Sequence, residues 1–285
     1  MNAKIVINRM LHNPFFMIGL ISGIILLTLT FLAPVITNYD PIANSLPDKF
    51  VPPEYFANGL KGHVLGTDQL GRDVLARLLY GARTTLLISL SSALIALVLG
   101  GTLGLLSGYF GGIVDVIIMR ACDVMSAIPT LVLGIVALSL FGPNIRNLII
   151  IMGITRWIRI CKVTRNNVRV QRKMDYVNAS KILGAKSGHI VFSQIFPNVT
   201  TNIIIQGSQQ IGQIILFEAT FAFMGLGVLP PAPSWGHMIA LGRSYLTIYP
   251  WMALVPGIAL MVTAITFNFL GDGLRDVLDP KRTVV

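Results

Sequence analysis

Long apolar runs alternate with short polar stretches along this chain. Three runs are nearly pure: Phe15–Ile36, Leu86–Leu106 and Tyr249–Leu270. Each is close to the roughly 20 apolar residues that a helix needs to cross a bilayer. Three more are interrupted. Ile113–Leu140 contains Asp115, Arg120, Asp123 and Pro129, and Val199–Phe223 contains four glutamines and Glu218. Ile145–Ile160 carries Arg156 and Arg159 at its far end, where long basic side chains can snorkel to the interface. The pattern predicts an all-α polytopic membrane protein with six transmembrane helices. Gly100, Gly104 and Gly108 recur every four residues, so they share one helix face and permit close helix packing, within the subunit or between subunits.

Composition agrees. Only 12% of the 285 residues are charged and 54% are hydrophobic, against about 25% charged in a soluble domain. The first run, at about 22 residues, exceeds the roughly 7–15 of a signal-peptide core and is expected to be retained. The net charge of +10 does not imply nucleic acid, because the basic residues gather in the loops between apolar runs, as the positive-inside rule expects.

The strongest concentration is the polar interruption from Arg156 to Asn198, with nine Lys/Arg against the single acid Asp175. Its excess assigns that side to the cytoplasm, and with six spans both termini share it. The loop Thr37–Arg83 then faces outward with five basic and five acidic residues, as does Gly225–Ile248, which has a Pro-rich phrase and only Arg243. Basic residues at positions 156, 159, 162 and 165 imitate a voltage-sensing helix, but further basic residues follow and no acid lies between Asp123 and Asp175. A solvated helix end facing anionic headgroups is the better reading. A secondary transporter would be expected to show an internal repeat, and none is evident.

Within the interruption, Asp175 is suited to cap a helix starting at Tyr176. Tyr176, Ala179, Ser180 and Leu183 fall on one mildly apolar face, and Gly184 suits a left-handed termination. At about eight residues the helix is too short to stand alone in water, so a partner surface is expected to hold it. Ser187 is placed to cap a second short helix stopping at Pro197. Asp115, Arg120 and Asp123 are expected to pair within the bundle, while for Glu218 a structural role and a role in a translocation path both stand. Gln206, Gln209, Gln210 and Gln213 form a polar face suited to a cavity or a helix interface.

Catalytic chemistry is not evident. The chain has no Gly-Lys dipeptide and so no phosphate loop. Cys122, Cys161 and the four histidines show no ligand spacing, so no metal and no cofactor is expected on this chain.

Asn178-Ala-Ser-Lys-Ile-Leu-Gly184 followed by Phe196-Pro197 resembles the "EAA" loop of ABC importer permeases, with Asn178 at the position of the Glu, Ser180 of an Ala, Gln194 of the Ile and Phe196 of the Leu. His63-Val-Leu-Gly-Thr-Asp68-Gln-Leu-Gly-Arg72-Asp73, Phe223-Met-Gly-Leu-Gly227 with Pro230-Pro-Ala-Pro-Ser-Trp235-Gly, and Asn268-Phe-Leu-Gly-Asp272-Gly-Leu-Arg-Asp276-Val-Leu-Asp-Pro280 resemble the dipeptide/oligopeptide/nickel branch, in its C-type subunit. The resemblance covers essentially the whole chain. It implies the type I importer permease fold, with 1–83 holding the N-terminal tail, first span and outer loop. The five-helix core would occupy 84–285, with its coupling loop at about 165–198. It implies a non-catalytic subunit in a bacterial cytoplasmic membrane, working with a second B-type permease, two ABC ATPases that bind ATP and Mg, and an extracytoplasmic substrate-binding protein. The ATPase-coupling segment would be Asp175, Tyr176, Val177, Asn178, Ala179, Ser180, Lys181, Leu183, Gly184 and Ala185. Peptides are the first cargo implied, with nickel or an opine-like metallophore complex as the alternative.

Overall fold

The computed structural model describes residues 3–56 and 58–278; Asp279 and Pro280 of the C-terminal phrase lie outside them. A short α1 (Ala3–His12) leads to α2 (Pro14–Phe31) and the single turn α3 (Ala33–Ile36). Asn13 caps α2, its side chain accepting from the Phe16 amide at 3.0 Å, and Pro14 stands at the start where its missing N–H costs nothing. A long loop follows, and then α4 (Val74–Phe110), 37 residues long. Asp73 caps α4 by accepting from the Ala76 amide at 2.6 Å, and Gly111, at φ +67°, ends it.

The run predicted as one span from Ile113 to Leu140 is two helices, α5 (Gly112–Ala127) and α6 (Thr130–Phe141), bent by 85° at Ile128–Pro129. Proline removes an amide donor and pushes the preceding residue out of the helical region, and Ile128 is indeed extended. Next come α7 (Ile145–Gln171), α8 (Asp175–Ile182), the turn α9 (Ser187–His189), α10 (Phe196–Phe223), α11 (Trp235–Gly242) and α12 (Trp251–Leu278).

Among the described residues, α2, α4 and α12 are long and apolar enough to cross a membrane, and α5 with α6 would make a fourth crossing if the bent pair counts as one. The helices α7 and α10, of 27 and 28 residues, are long enough as well, but their arginines and glutamines keep them from reading as apolar spans.

Glycine positions fix the packing. A Cβ at Gly100 would meet Trp157 O at 2.6 Å, one at Gly104 would meet Cys161 O at 2.6 Å, and one at Gly108 would meet Arg165 O at 2.7 Å. The glycine face therefore lies backbone to backbone on α7, within this subunit, and the two helices run parallel. The contacts of Gly101 with Ile203 and of Gly207 with Leu97 set α10 antiparallel to α4. Those of Gly212 with Ala264 and of Gly271 with Gln209 set α12 antiparallel to α10, and Gly19 packs on Leu270 to bring α2 alongside α12. The loop between α3 and α4, α11 and the start of α12 thus share one end of the bundle. The segment from Arg172 to Ile195 lies at the other, with the start of α2 and the end of α12.

Candidate functional site: the α8 coupling segment and the polar α7–α10 face

The helix α8 begins one residue earlier than predicted. Met174, extended at φ −71° and ψ 149°, holds the capping position without a side-chain bond, and Asp175 is the first helical residue. Its carboxylate still stands at the positive end of the helix. The termination follows the prediction. Gly184 adopts φ +80°, the Gly184 amide donates to Lys181 O and the Ala185 amide donates to Ser180 O, both at 3.0 Å, the paired pattern of a Schellman cap.

The helix is anchored differently from the expectation. Its buried residue is Val177, at 0% exposure, which joins a core with Val168, Ile190, Val191 and Ile195. The Tyr176 hydroxyl donates to Gln171 at 2.7 Å, and Gln194 Nε2 donates to Ser180 Oγ at 2.7 Å. Ala185 packs partly buried against the same core, while Asn178, Ala179 and Lys181 are exposed. The apolar side chains turned outward are Ile182 and Leu183, each 86% exposed, with Phe192 at 69%. Ile182 and Phe192 were not singled out in the sequence. The signal available was only that both are large apolar residues within the polar interruption from Arg156 to Asn198.

Ser187 does not cap a helix that stops at Pro197. Residues Ile190–Ile195 form a π-helical turn running directly into α10, and Pro197 sits in its first turn. A proline inside a continuous α-helix would clash with a carbonyl four residues back, and the wider turn accommodates it.

The basic ladder on α7 is not uniformly solvated. Arg156, expected to snorkel, lies over the Phe217 ring at 3.9 Å and its Nη1 donates to Gln213 Oε1 at 3.4 Å. Lys162 Nζ is 3.6 Å from Asp123, and Arg165 grips both oxygens of Asp115 at 2.5 and 2.6 Å. The ladder therefore does have acidic partners, supplied by α5. Arg120 is exposed and pairs with neither aspartate among the described residues. Cys122 and Cys161 are buried free thiols in one cluster with Trp157. Among the described residues no three His, Cys, Asp or Glu side chains converge.

On α10, Gln210 is buried and its Nε2 donates to Arg156 O at 3.5 Å, while Gln209 Nε2 donates to Asp272 on α12 at 2.9 Å. Gln206 is half-buried. Glu218 stands apart from them. It is completely buried, accepts from Ser234 Oγ at 3.0 Å, and lies against Gly236, where a Cβ would sit 2.8 Å from its Oε2. The glutamines thus connect α10 to α7 and α12, whereas Glu218 joins α10 to α11.

The loop between α3 and α4 is a folded cap built from the His63–Asp73 phrase. His63 Nδ1 lies 2.9 Å from Asp73 Oδ2. Asp68 accepts from the Leu70 and Arg72 amides and from Arg72 Nε at 2.7 Å, with Arg77 Nε at 3.5 Å. Gly66 and Gly71 take φ +75° and +71°, and Trp251 Nε1 donates to Thr67 O. On the neighbouring α11, burial and the charges of Arg77 and Arg72 hold the His237 imidazole below its ordinary pKa.

A bundle of long apolar helices with a short surface helix exposing apolar residues at one end and a folded cap at the other defines a polytopic membrane protein. Residues 100–284 match the binding-protein-dependent transport system inner membrane component family, and residues 3–53 match the N-terminal TM domain of oligopeptide transport permease C. The chain belongs to this family of transport permeases. It is 36% identical to the dipeptide transport system permease protein DppC of Haemophilus influenzae, over 93% of this chain and 90% of that one. It is 37% identical to the di/tripeptide transport system permease protein DppC of Pseudomonas aeruginosa, over 95% and 89%. It is also 36% identical to the oligopeptide transport system permease protein OppC of Bacillus subtilis, over 96% and 88%. A chain of the MetNI methionine ABC transporter, solved in inward-facing conformations, shares the fold with a TM-score of 0.57 and 17% identity, over 71% of this chain and 97% of that one.

Proposed function

We propose that this chain is the C-type permease of an ATP-driven importer of di- and oligopeptides. The reading rests first on the curated relatives, which are named for peptide transport and cover nearly the whole chain. Nickel or a metallophore complex is the weaker alternative, since it rests on the branch resemblance of the loop phrases alone. The chain supplies half of the path with a second, B-type permease, receives cargo from an extracytoplasmic binding protein, and binds no cofactor; ATP and Mg belong to two cytoplasmic ATPase subunits. The end bearing α8 faces the cytoplasm, in keeping with its basic excess, and both termini lie on that side.

The observation that carries the coupling role is the outward pair Ile182 and Leu183 on a helix whose inner side is tied down by Val177, Ser180 and Tyr176. Two large apolar side chains left in water at the end of a short, well-fixed helix are suited to fill a pocket on another protein. The Schellman cap at Gly184 fixes the angle at which they are presented. The path itself is assigned to the polar face of Gln206, Gln209, Gln210 and Gln213. Gln210 Oε1 and Arg156 Nε are buried there without a hydrogen-bond partner among the described residues, which favours a wetted region. Glu218 is given a bracing role for α11.

Leu183→Glu in the reconstituted importer tests the coupling role. The expected result is loss of transport and of ATPase stimulation with assembly and melting temperature unchanged; normal coupling would defeat the reading. Cargo is tested separately, by competition among labelled dipeptide, nickel and a metal–opine chelate for uptake in a strain lacking this subunit.

A further inference from the structure

Past Arg165 the basic row on α7 changes character. Arg165 and Lys162 are matched by Asp115 and Asp123, whereas Arg169, Arg172 and Lys173 make no ion pair among the described residues. These three, with Gly108 and Asn178, line one open polar cavity of about 400 Å³ where the ends of α4 and α7 meet the start of α8. Arg172 is held in place, its guanidinium 5.9 Å from the Tyr109 ring centroid, and a Cβ at Gly111 would lie 3.2 Å from its Nη1. Three cations around one cavity repel one another, and an anion between them removes that cost. The carbonyl end of α7 offsets only part of it.

The surroundings specify what kind of anion fits. The chain leaving α4 beside this cavity turns back as α5, whose outer face is bare: Ile113 is 78% exposed, Val116 59% and Ile117 63%, with Phe110 at 51% just before them. The helix α5 runs antiparallel to α7, since Asp115 meets Arg165 and Asp123 meets Lys162. The apolar patch therefore extends from the cationic cavity back along the bundle for about two turns, as far as Ile117, before the exposed Arg120. A polar, positively charged pocket continuous with an exposed apolar patch suits a charged head with hydrocarbon tails rather than a soluble anion. We propose that this cavity binds the phosphate of an anionic phospholipid, with the acyl chains lying along α5.

The test uses the full chain, stripped of lipid in detergent and titrated with phosphatidylglycerol or phosphatidylcholine, with retained lipid counted by native mass spectrometry. Phosphatidylglycerol is expected to be retained about a hundredfold more strongly, as three basic side chains near an anionic headgroup would give. The Arg169→Gln, Arg172→Gln, Lys173→Gln triple variant should fall to the phosphatidylcholine level. Removing the same charge at the opposite end, with Lys49→Gln, Lys61→Gln and Arg146→Gln, should change nothing. Equal retention of the two lipids, or an equal loss in both triple variants, overturns the proposal. So does displacement of phosphatidylglycerol by millimolar inorganic phosphate, which would mark a site for a soluble anion. If the first triple variant does not elute and melt like the parent, the single Arg169→Gln variant, at an exposed position, decides: it should give intermediate retention, and unchanged retention overturns the proposal.

Discussion

Arg165 holds Asp115 through two parallel bonds, Nε to Oδ1 at 2.5 Å and Nη2 to Oδ2 at 2.6 Å, joining residues 50 positions apart. Ser107 Oγ donates to the same carboxylate, so α4, α5 and α7 meet at one aspartate. Both side chains are largely shielded, at 19% and 18% exposure. Asp115→Ala is expected to destabilise the protein by about 1–3 kcal/mol, the range for losing hydrogen bonds to charged partners. The check is the melting temperature in detergent, and the exchanged pair Asp115→Arg with Arg165→Asp should recover part of the loss.

The cap between α3 and α4 depends on Asp68 in the same way, at greater depth. Asp68, Arg72 and Arg77 are 6%, 5% and 2% exposed, and Asp68 is the carboxylate that both guanidinium groups approach. Asp68→Ala leaves two buried cations unmatched, for which about 3–5 kcal/mol is the usual cost. Limited proteolysis should then cut within the loop between α3 and α4, while the parent protein resists.

Two glycines should respond in opposite ways. At Gly104 a side chain would press on the Cys161 carbonyl and on Thr164, so Gly104→Val should cost about 1–3 kcal/mol through overpacking and lower the yield of folded protein. Gly188 has nothing within 4 Å of an added Cβ and no positive φ. Gly188→Ala should stay within about 0.5 kcal/mol of the parent, as open surface positions do. Thermal melting of the two variants side by side gives the comparison.

His237 supplies a pH dependence. Its folded pKa lies below the ordinary 6.5 because burial, then Arg77 and Arg72, disfavour the imidazolium. The unfolded chain therefore binds the proton more readily. Stability from this group is complete above 6.5 and declines as pH falls below it. Between about pH 7.5 and about pH 5.5 the parent should lose more stability than His237→Gln, measured as the difference between their melting temperatures at each pH.

The apolar runs made most of the helices legible before the structure, because crossing lipid imposes a length and a composition that side-chain detail cannot hide. Pro129 was visible, yet its 85° consequence was not, since a proline can kink a span or break it and only tertiary packing decides. The termination at Gly184 was readable from local chemistry. The side of α8 that is buried was not, because Tyr176, Ala179, Ser180 and Leu183 offer as good an apolar periodicity as the lone Val177 that the core takes. The acids that meet the α7 ladder were hidden for another reason: Asp115 and Asp123 lie 50 and 39 positions away from Arg165 and Lys162, on a helix whose direction is set by the turn at Gly111 and Gly112.

The glycine seam has a mechanical reading. With backbones touching at Gly100, Gly104 and Gly108, no compressible layer of side chains separates α4 from α7. The register of Gly100 against Trp157 and Gly108 against Arg165 lays α7, from its start at Ile145, alongside about the last 23 residues of α4, so at 1.5 Å per residue the pair behaves as a beam about 35 Å long, a little more than the hydrocarbon layer is thick. A small displacement applied at the α8 end would be delivered to the residues near Leu148 rather than absorbed on the way. Bulk added at the seam would thus act as a loose joint in a lever, blunting motion at a distance from the substituted residue.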